Sequence, residues 1–182
     1  MTDSEIARRF EAMAAPHLDA AYNLARWLTR DPHDAQDVVQ EAYLRAFRFF
    51  PGFRGGDGRA WLLTIVRNTF YTWVQQNRRG SETVEYDEAQ AGLQGMEANA
   101  EETLHGSDPE ALWLRAADRQ LVEAALQRLP AESREILVLR ELEELSYKEI
   151  AGIVGVALGT VMSRLSRARA RLKLELEAME RQ

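Results

Sequence analysis

Residues 140–173, RELEELSYKEIAGIVGVALGTVMSRLSRARARLK, constrain the chain more than any other stretch, because they are patterned as two short helices that cross at a glycine. Ser146 is placed to cap the first helix, Glu149 three residues on completes a capping box, and the helix runs through Val154. Gly155 supplies the backbone freedom that a turn between crossing helices needs. In the second helix Val161, Leu165, Ala168 and Leu172 recur at steps of 4, 3 and 4 and so share one buried stripe. Thr160, Ser163, Arg164, Arg167 and Arg171 are left facing outward.

Charge adds to this pattern. From Gly155 to Lys173 the chain holds Arg164, Arg167, Arg169, Arg171 and Lys173 and no acid. A cationic run by itself favours a solvated helix face. Combined with Ala151 at the crossing, Gly155 at the turn and Val161 facing back, it reads as a helix-turn-helix that binds DNA phosphates. A recognition helix enters the major groove by its first turns, so Thr160, Ser163 and Arg164 are placed to read base edges. Arg167, Arg169 and Arg171 are placed to grip the backbone.

The net charge of -6 sits oddly with such a role until the chain is divided. Residues 1–79 carry 11 basic and 9 acidic side chains, and residues 111–182 carry 12 and 11. Residues 80–110 carry 9 acids and neither Lys nor Arg, together with Gly80, Gly92, Gly95, Gly106 and Pro109. That composition predicts a self-repelling, flexible tether. The expected fold class is all-α, with two small helical domains, 1–79 and 111–182, joined by an acidic linker at 80–110.

With no cysteine, disulfides, iron–sulfur clusters, thiolate zinc sites and a thiol nucleophile are excluded. His17, His33 and His105 are scattered, so neither a metal site nor a cofactor is expected. The N-terminus MTDSEIARRFEAM lacks the basic start and apolar run of a signal peptide, and no stretch has the length of a membrane span. These features predict a soluble, cytoplasmic protein without membrane insertion.

In the N-terminal part, Leu18, Ala21, Tyr22, Ala25 and Leu28 mark an amphipathic helix that stops near Thr29-Arg30. Asp31 as N-cap and Pro32 at the first helical position open the next. Its expected inward face is Ala35, Val38, Val39, Ala42, Tyr43, Ala46 and Phe49, and its outward face Asp34, Asp37, Gln40, Glu41, Arg45 and Arg48. A glycine-rich loop, FRGGDGR at 53–59, leads to a third helix. There Trp61, Leu62, Ile65, Val66, Thr69, Phe70, Trp73 and Val74 share one side, and Thr64, Arg67, Asn68, Tyr71, Thr72 and Gln75 the other. From Gly58 to Ser81 no acid occurs, while Arg59, Arg67, Arg78 and Arg79 alternate with aromatics. Cations and rings together suit single-stranded nucleic acid. Trp61, Phe70 and Trp73 sit at core spacing, which favours a place in the core for each ring, and the loop also fits a plain helix-to-helix turn.

In combination these pieces resemble the extracytoplasmic-function (group IV) sigma factors of bacterial RNA polymerase. DPHDAQDVVQEAYLRAF (31–47) is similar to regions 2.1–2.2 of that family, FRGGDGRAWLLTIVRNTFYTWVQQNRR (53–79) to regions 2.3–2.4, and LPAESREILVLRELEELSYKEIAGIVGVALGTVMSRLSRARARLK (129–173) to region 4. The resemblance implies a sigma factor that binds core polymerase and directs promoter-specific initiation. Asp37, Gln40, Glu41 and Leu44 would dock on the clamp helices of the largest subunit. Arg54, Gly55, Gly56, Asp57 and Arg59 from the loop, with Arg67, Asn68, Tyr71 and Thr72, would hold the melted -10 strand and its flipped bases. Arg140, Thr160, Met162, Ser163, Arg164, Arg167 and Arg171 would contact the -35 duplex, and the apolar surface of region 4 would meet the flap of the second-largest subunit. An anti-sigma factor is the implied regulatory partner. The family often has Pro where this chain has Ala157 and a cation where it has Met162, which leaves Met162 to contact a thymine methyl or to face the core.

Two rival classes are a DNA-binding regulator and a mimic that titrates an anti-sigma factor. The first gives no reason for the 31–79 pattern, and the second has no need of two basic helices. No Gly-Lys-Ser phosphate loop, GxSxG or HExxH constellation occurs, so the chain is not read as an enzyme.

Overall fold

The computed structural model describes residues 2–80 and 109–181; the expected acidic linker lies almost entirely outside them. The described residues form helices α1 (Asp3–Ala14), α2 (Leu18–Thr29), α3 (Pro32–Phe49) and α4 (Gly58–Gly80), then α5 (Pro109–Arg128), α6 (Ala131–Leu137), α7 (Tyr147–Val154) and α8 (Leu158–Glu180). Among these residues there is no strand.

Local chemistry sets the helix boundaries. Asp31 Oδ1 accepts from the backbone N–H of His33 at 2.8 Å and of Asp34 at 3.0 Å, with Pro32 next in line to start α3. These N–H bonds, that of Asp34 foremost, hold the Asp31 carboxyl below the usual carboxylate range. α2 ends because Arg30 turns left-handed, φ 63°, and its N–H returns to Arg26 O. α6 widens into a π-helical turn at Val138–Leu142 before the chain reaches α7.

α2, α3 and α4 pack around Leu24, Ala25, Leu28, Val38, Ala42, Leu62, Leu63, Val66 and Phe70, all buried. Each such large apolar side chain contributes about 1.5–3 kcal/mol of burial. α6, α7 and α8 enclose Ile136, Leu139, Ile150, Ile153, Val161, Leu165 and Ala168. These two groups are contiguous: α2 packs on α6 and α4 on α7, so one buried apolar cluster runs through both halves.

The structure departs from the sequence pattern in several places, one being Leu18 at the start of α2, which is 48% exposed although it belongs to the apolar stripe. α1 was not anticipated; its Phe10 packs edge-on against Phe47 and Phe50, each with ring centroids at 5.4 Å. Phe49, expected inward, is 64% exposed, while Phe50 is buried. The reason is the tight turn Phe50–Gly52, which swings the end of α3 so that Phe50 rather than Phe49 meets Phe53. Leu63, absent from the expected core stripe of α4, is fully buried, because α4 is covered on a second side by α7.

Candidate nucleic-acid interfaces

α7 and α8 cross at 97°, the angle of a DNA-reading helix pair. Ser146 Oγ accepts from Glu149 N at 3.1 Å, and Glu149 Oε2 accepts from Ser146 N at 2.6 Å, so the first helix starts on a complete capping box. Gly155 takes φ 75°, and its N–H and that of Val156 both return to Ala151 O. Among the described residues nothing lies within 4 Å of the position its Cβ would occupy, so the glycine is there for its backbone angle and not for space.

Val161, Leu165 and Ala168 turn inward from α8, and Leu172 is half-buried at the end of the stripe. Ser163, Arg167 and Arg171 are exposed, with Thr160 and Arg164 half-exposed beside them. Met162 is 53% exposed, which removes the option that it faces the domain core. Two cations near this face are held by the protein itself. Arg169 Nη2 lies 2.6 Å from Glu141 Oε1. Arg140 donates to Leu145 O at 2.8 Å and stacks 4.9 Å above the Tyr147 ring, bracing the entry to α7.

At the opposite end, the loop between α3 and α4 carries Gly55 and Gly56 at φ 89° and 100°, which only glycine adopts without strain. Asp57 Oδ1 accepts from Ala60 N at 3.0 Å and so caps α4. The loop and α1 border a surface hollow of about 610 Å³ lined by Arg9, Ala12, Met13, Phe50, Pro51, Phe53, Arg54 and Gly55. Behind it Phe53 packs on Trp61 with centroids 4.8 Å apart. Aromatic faces with cations at the rim are the components of a site for an unstacked base.

The polar side of α4 is divided. Asn68 is exposed, and the neighbouring Thr72 spends its hydroxyl on Asn68 O at 2.9 Å. Arg59, Arg67 and Tyr71 turn toward the C-terminal half. Arg59 Nη2 donates to Glu143 Oε2 and also to Glu143 O at 2.9 Å. Arg67 Nε lies 2.5 Å from Glu135 Oε1 but off its N–H axis, a charge contact rather than a directed hydrogen bond. Tyr71 Oη donates to Glu135 Oε2 at 3.1 Å, and the Arg67 guanidinium sits 4.7 Å over the Tyr71 ring. Burial pushes the Glu135 carboxyl up against the opposing pull of Arg67, and burial together with the Glu135 charge pushes the Tyr71 hydroxyl up as well.

Next to this cluster Arg134, 2% exposed, enters the carbonyl end of α2. It donates to Trp27 O, to Leu28 O at 3.2 Å and to Leu129 O, while Arg30 reaches Leu129 O from the other side at 2.9 Å. A guanidinium here satisfies helix-end carbonyls and complements the negative end of the helix dipole. Arg134, Glu135 and Glu143 were not singled out from the sequence. Leu129 apart, their partners lie 64 to 107 residues away, beyond any local pattern.

On the far side, Asp37, Gln40, Glu41 and Leu44 lie together on the exposed face of α3, Leu44 being 52% exposed. Glu41 pairs with Arg45 at 2.8 Å. Phe47, 41% exposed, extends the apolar part of this face.

Residues 13–80 match the family model for sigma-70 region 2, and residues 119–172 the model for sigma-70 region 4. The ECF RNA polymerase sigma-E factor of Escherichia coli (strain K12) is 38% identical over 151 residues, which cover 81% of this chain and 76% of that protein. The ECF RNA polymerase sigma factor SigE of Mycolicibacterium smegmatis is 37% identical over 169 residues, 90% of this chain but 60% of that relative's length. Among solved structures, the sigma factor RpoE in complex with the anti-sigma factor NepR from Bartonella quintana aligns with TM-score 0.69 at 30% identity, covering 93% of this chain and 98% of that one. CnrH in complex with the cytosolic domain of CnrY aligns with TM-score 0.61 at 26% identity, covering 94% and 90%. The chain thus belongs to the ECF RNA polymerase sigma factors, DNA-binding initiation factors rather than enzymes. Among the described residues no single helix is long and apolar enough to cross a membrane.

Proposed function

We propose that this sigma factor docks on core RNA polymerase through α3 and reads promoter DNA at two separate places. Residues 1–79 act as the polymerase-binding and -10 module, residues 111–182 as the -35 module, and residues 80–110 as the acidic link between them. Asp37, Gln40, Glu41 and Leu44 meet the clamp helices of the largest subunit, and the C-terminal module meets the flap of the second-largest. The observation that carries the reading is the hollow at Gly55, lined by Phe50, Phe53, Arg9 and Arg54, in the loop that leads into α4, on which Asn68 is exposed. Arg54, Gly55, Gly56, Asp57 and Arg59, with Arg67, Asn68, Tyr71 and Thr72, hold the melted -10 strand. At -35, Thr160, Met162, Ser163 and Arg164 face the bases, while Arg167, Arg171 and Arg140 serve the phosphates. An anti-sigma factor is the regulatory partner, as NepR is for the sigma factor RpoE in their complex, and the site of action is the bacterial nucleoid.

The test is melting. On a promoter selected with reconstituted holoenzyme, Asn68→Ala should reduce permanganate reactivity of -10 thymines on duplex DNA while core binding stays intact. A pre-melted template should restore only part of it, since the mismatch removes the unpairing cost but not the lost base contacts. Wild-type melting by this variant would contradict the -10 assignment, and a footprint by the free protein equal to that of holoenzyme would contradict the need for core.

A further inference from the structure

The outer face of α8 has two unlike borders. Its centre is Gly159, Ser163, Ser166 and Ala170, all small and all exposed. Along one border run Thr160, Arg164, Arg167 and Arg171. Along the other stand Leu158 and Met162, four residues apart and therefore neighbours on successive turns. Arg169 shares this second border further along, but its Nη2 lies 2.6 Å from Glu141 Oε1.

Leu158 and Met162 are 49% and 53% exposed, on a helix that buries Val161, Leu165 and Ala168 on its inner side. The core therefore does not account for them. Their surroundings say what covers them. From Gly155 to Lys173 there is no acid, so the surface around the pair attracts a polyanion. They occupy the first turns of α8, the part of a recognition helix that enters the major groove. The small residues beside them let the helix come close to whatever it lies against. Base edges in that groove present donors, acceptors and one group that is neither, the C5-methyl of thymine. A leucine and a methionine have no hydrogen to donate to a guanine or adenine edge, so the methyl is the partner their chemistry fits.

We propose that Leu158 and Met162 read thymine C5-methyl groups at neighbouring positions of the -35 element. This border of α8 then selects A·T pairs by apolar contact, while the border with Thr160 and Arg164 works through hydrogen bonds. The proposal rests on the -35 assignment above. Covering one methyl is worth about 3–10-fold in affinity at each position.

The test uses the full-length protein in holoenzyme on the promoter selected with it, and reads dissociation constants by competition. Deoxyuridine in place of each -35 thymine removes the methyl and leaves every hydrogen-bonding group unchanged. Wild type should bind about 3–10-fold more weakly at one or two of these positions. Met162→Ala should bind the unmodified promoter more weakly and ignore deoxyuridine at one of them, and Leu158→Ala at its neighbour. Cytosine at the Met162 position should weaken wild type, and 5-methylcytosine should recover part of the loss. Met162→Leu should keep the response, as should Leu174→Ala, which trims an exposed leucine far from the first turns. Met162→Arg should move the preference at its position toward guanine. Deoxyuridine tolerated by wild type at every position, or a selected -35 element without an A·T pair, would overturn methyl reading and leave the -35 assignment standing. This series on wild type needs no variant, so it decides even where a substitution unfolds the module. Weaker binding of all sequences by Met162→Ala, with the deoxyuridine response intact, would overturn it in favour of a protein partner on this border. If Met162→Ala and Arg164→Ala both keep wild-type discrimination at every -35 base pair, the -35 assignment fails and the proposal with it.

Discussion

α4 and α8 are both 23-residue helices with cations on a polar side, yet they stand in opposite states. On α8, Ser163, Arg167 and Arg171 face solvent, and the contacts of the two arginines are weak ones at 3.4 Å within the same half of the chain. On α4, Arg59, Arg67 and Tyr71 are bound by carboxylates of the opposite half. The difference teaches that a basic helix is not by itself an accessible binding surface. What decides is whether acids elsewhere in the fold can reach it.

The most severe way to break this contrast is to remove Arg134, which ties α6 to the end of α2. Arg134→Ala should cost about 3 kcal/mol of stability in denaturant melts, since several charged hydrogen bonds go and the α2 carbonyls lose their donor. A loss below about 0.5 kcal/mol would mean the two halves do not depend on each other, and α4 would be as open as α8.

The next effect should appear on the open helix. Within holoenzyme, Arg164→Ala should cost about 1–3 kcal/mol at one or two -35 positions if it makes a bidentate base contact, whereas Arg171→Ala should weaken all sequences alike. Binding to a panel of single-base -35 variants measures this, and identical profiles for the two would end the division between base reader and backbone grip.

A smaller loss is expected where the open helix pair is assembled. Ser146→Ala removes the side-chain half of the capping box and should lower stability by about 1 kcal/mol, read as a lower Tm. Glu149→Gln keeps the reciprocal bond to the Ser146 N–H and should cost less.

The mildest effect tests the closed face through pH. Burial raises the Glu135 carboxyl above its usual 4.5 in the folded protein, so its favourable contribution is fully present below that value. It is lost as pH rises through the raised value. Relative to Glu135→Gln, wild type should therefore lose stability as pH climbs from about 4.5 toward neutrality, by at most about 1.4 kcal/mol per unit of pKa shift. Parallel stability–pH curves for the two proteins would show that this carboxyl meets water as freely as the exposed acids of α3.

Much of the architecture was legible residue by residue. Asp31-Pro32, Ser146 with Glu149, and Gly155 are short-range signals, and each does in the structure what its chemistry dictates, because caps and turns are satisfied within a few residues. The stripe Val161, Leu165 and Ala168 likewise needed only helical periodicity. Periodicity failed at Phe49, where a tight turn broke the phase, and it was blind to Leu63, whose burial is owed to a helix from the other half.

The sequence by itself determined an all-α chain, a helix-turn-helix with a cationic outer face, and a glycine loop leading into a basic helix. Only the tertiary structure decided which of those cations are exposed. Helical pattern is set by neighbours three and four residues away, whereas the ties of Arg59, Arg67, Tyr71 and Arg134 join residues far apart in the chain, and nothing local in a sequence records which distant acid or carbonyl a cation will meet.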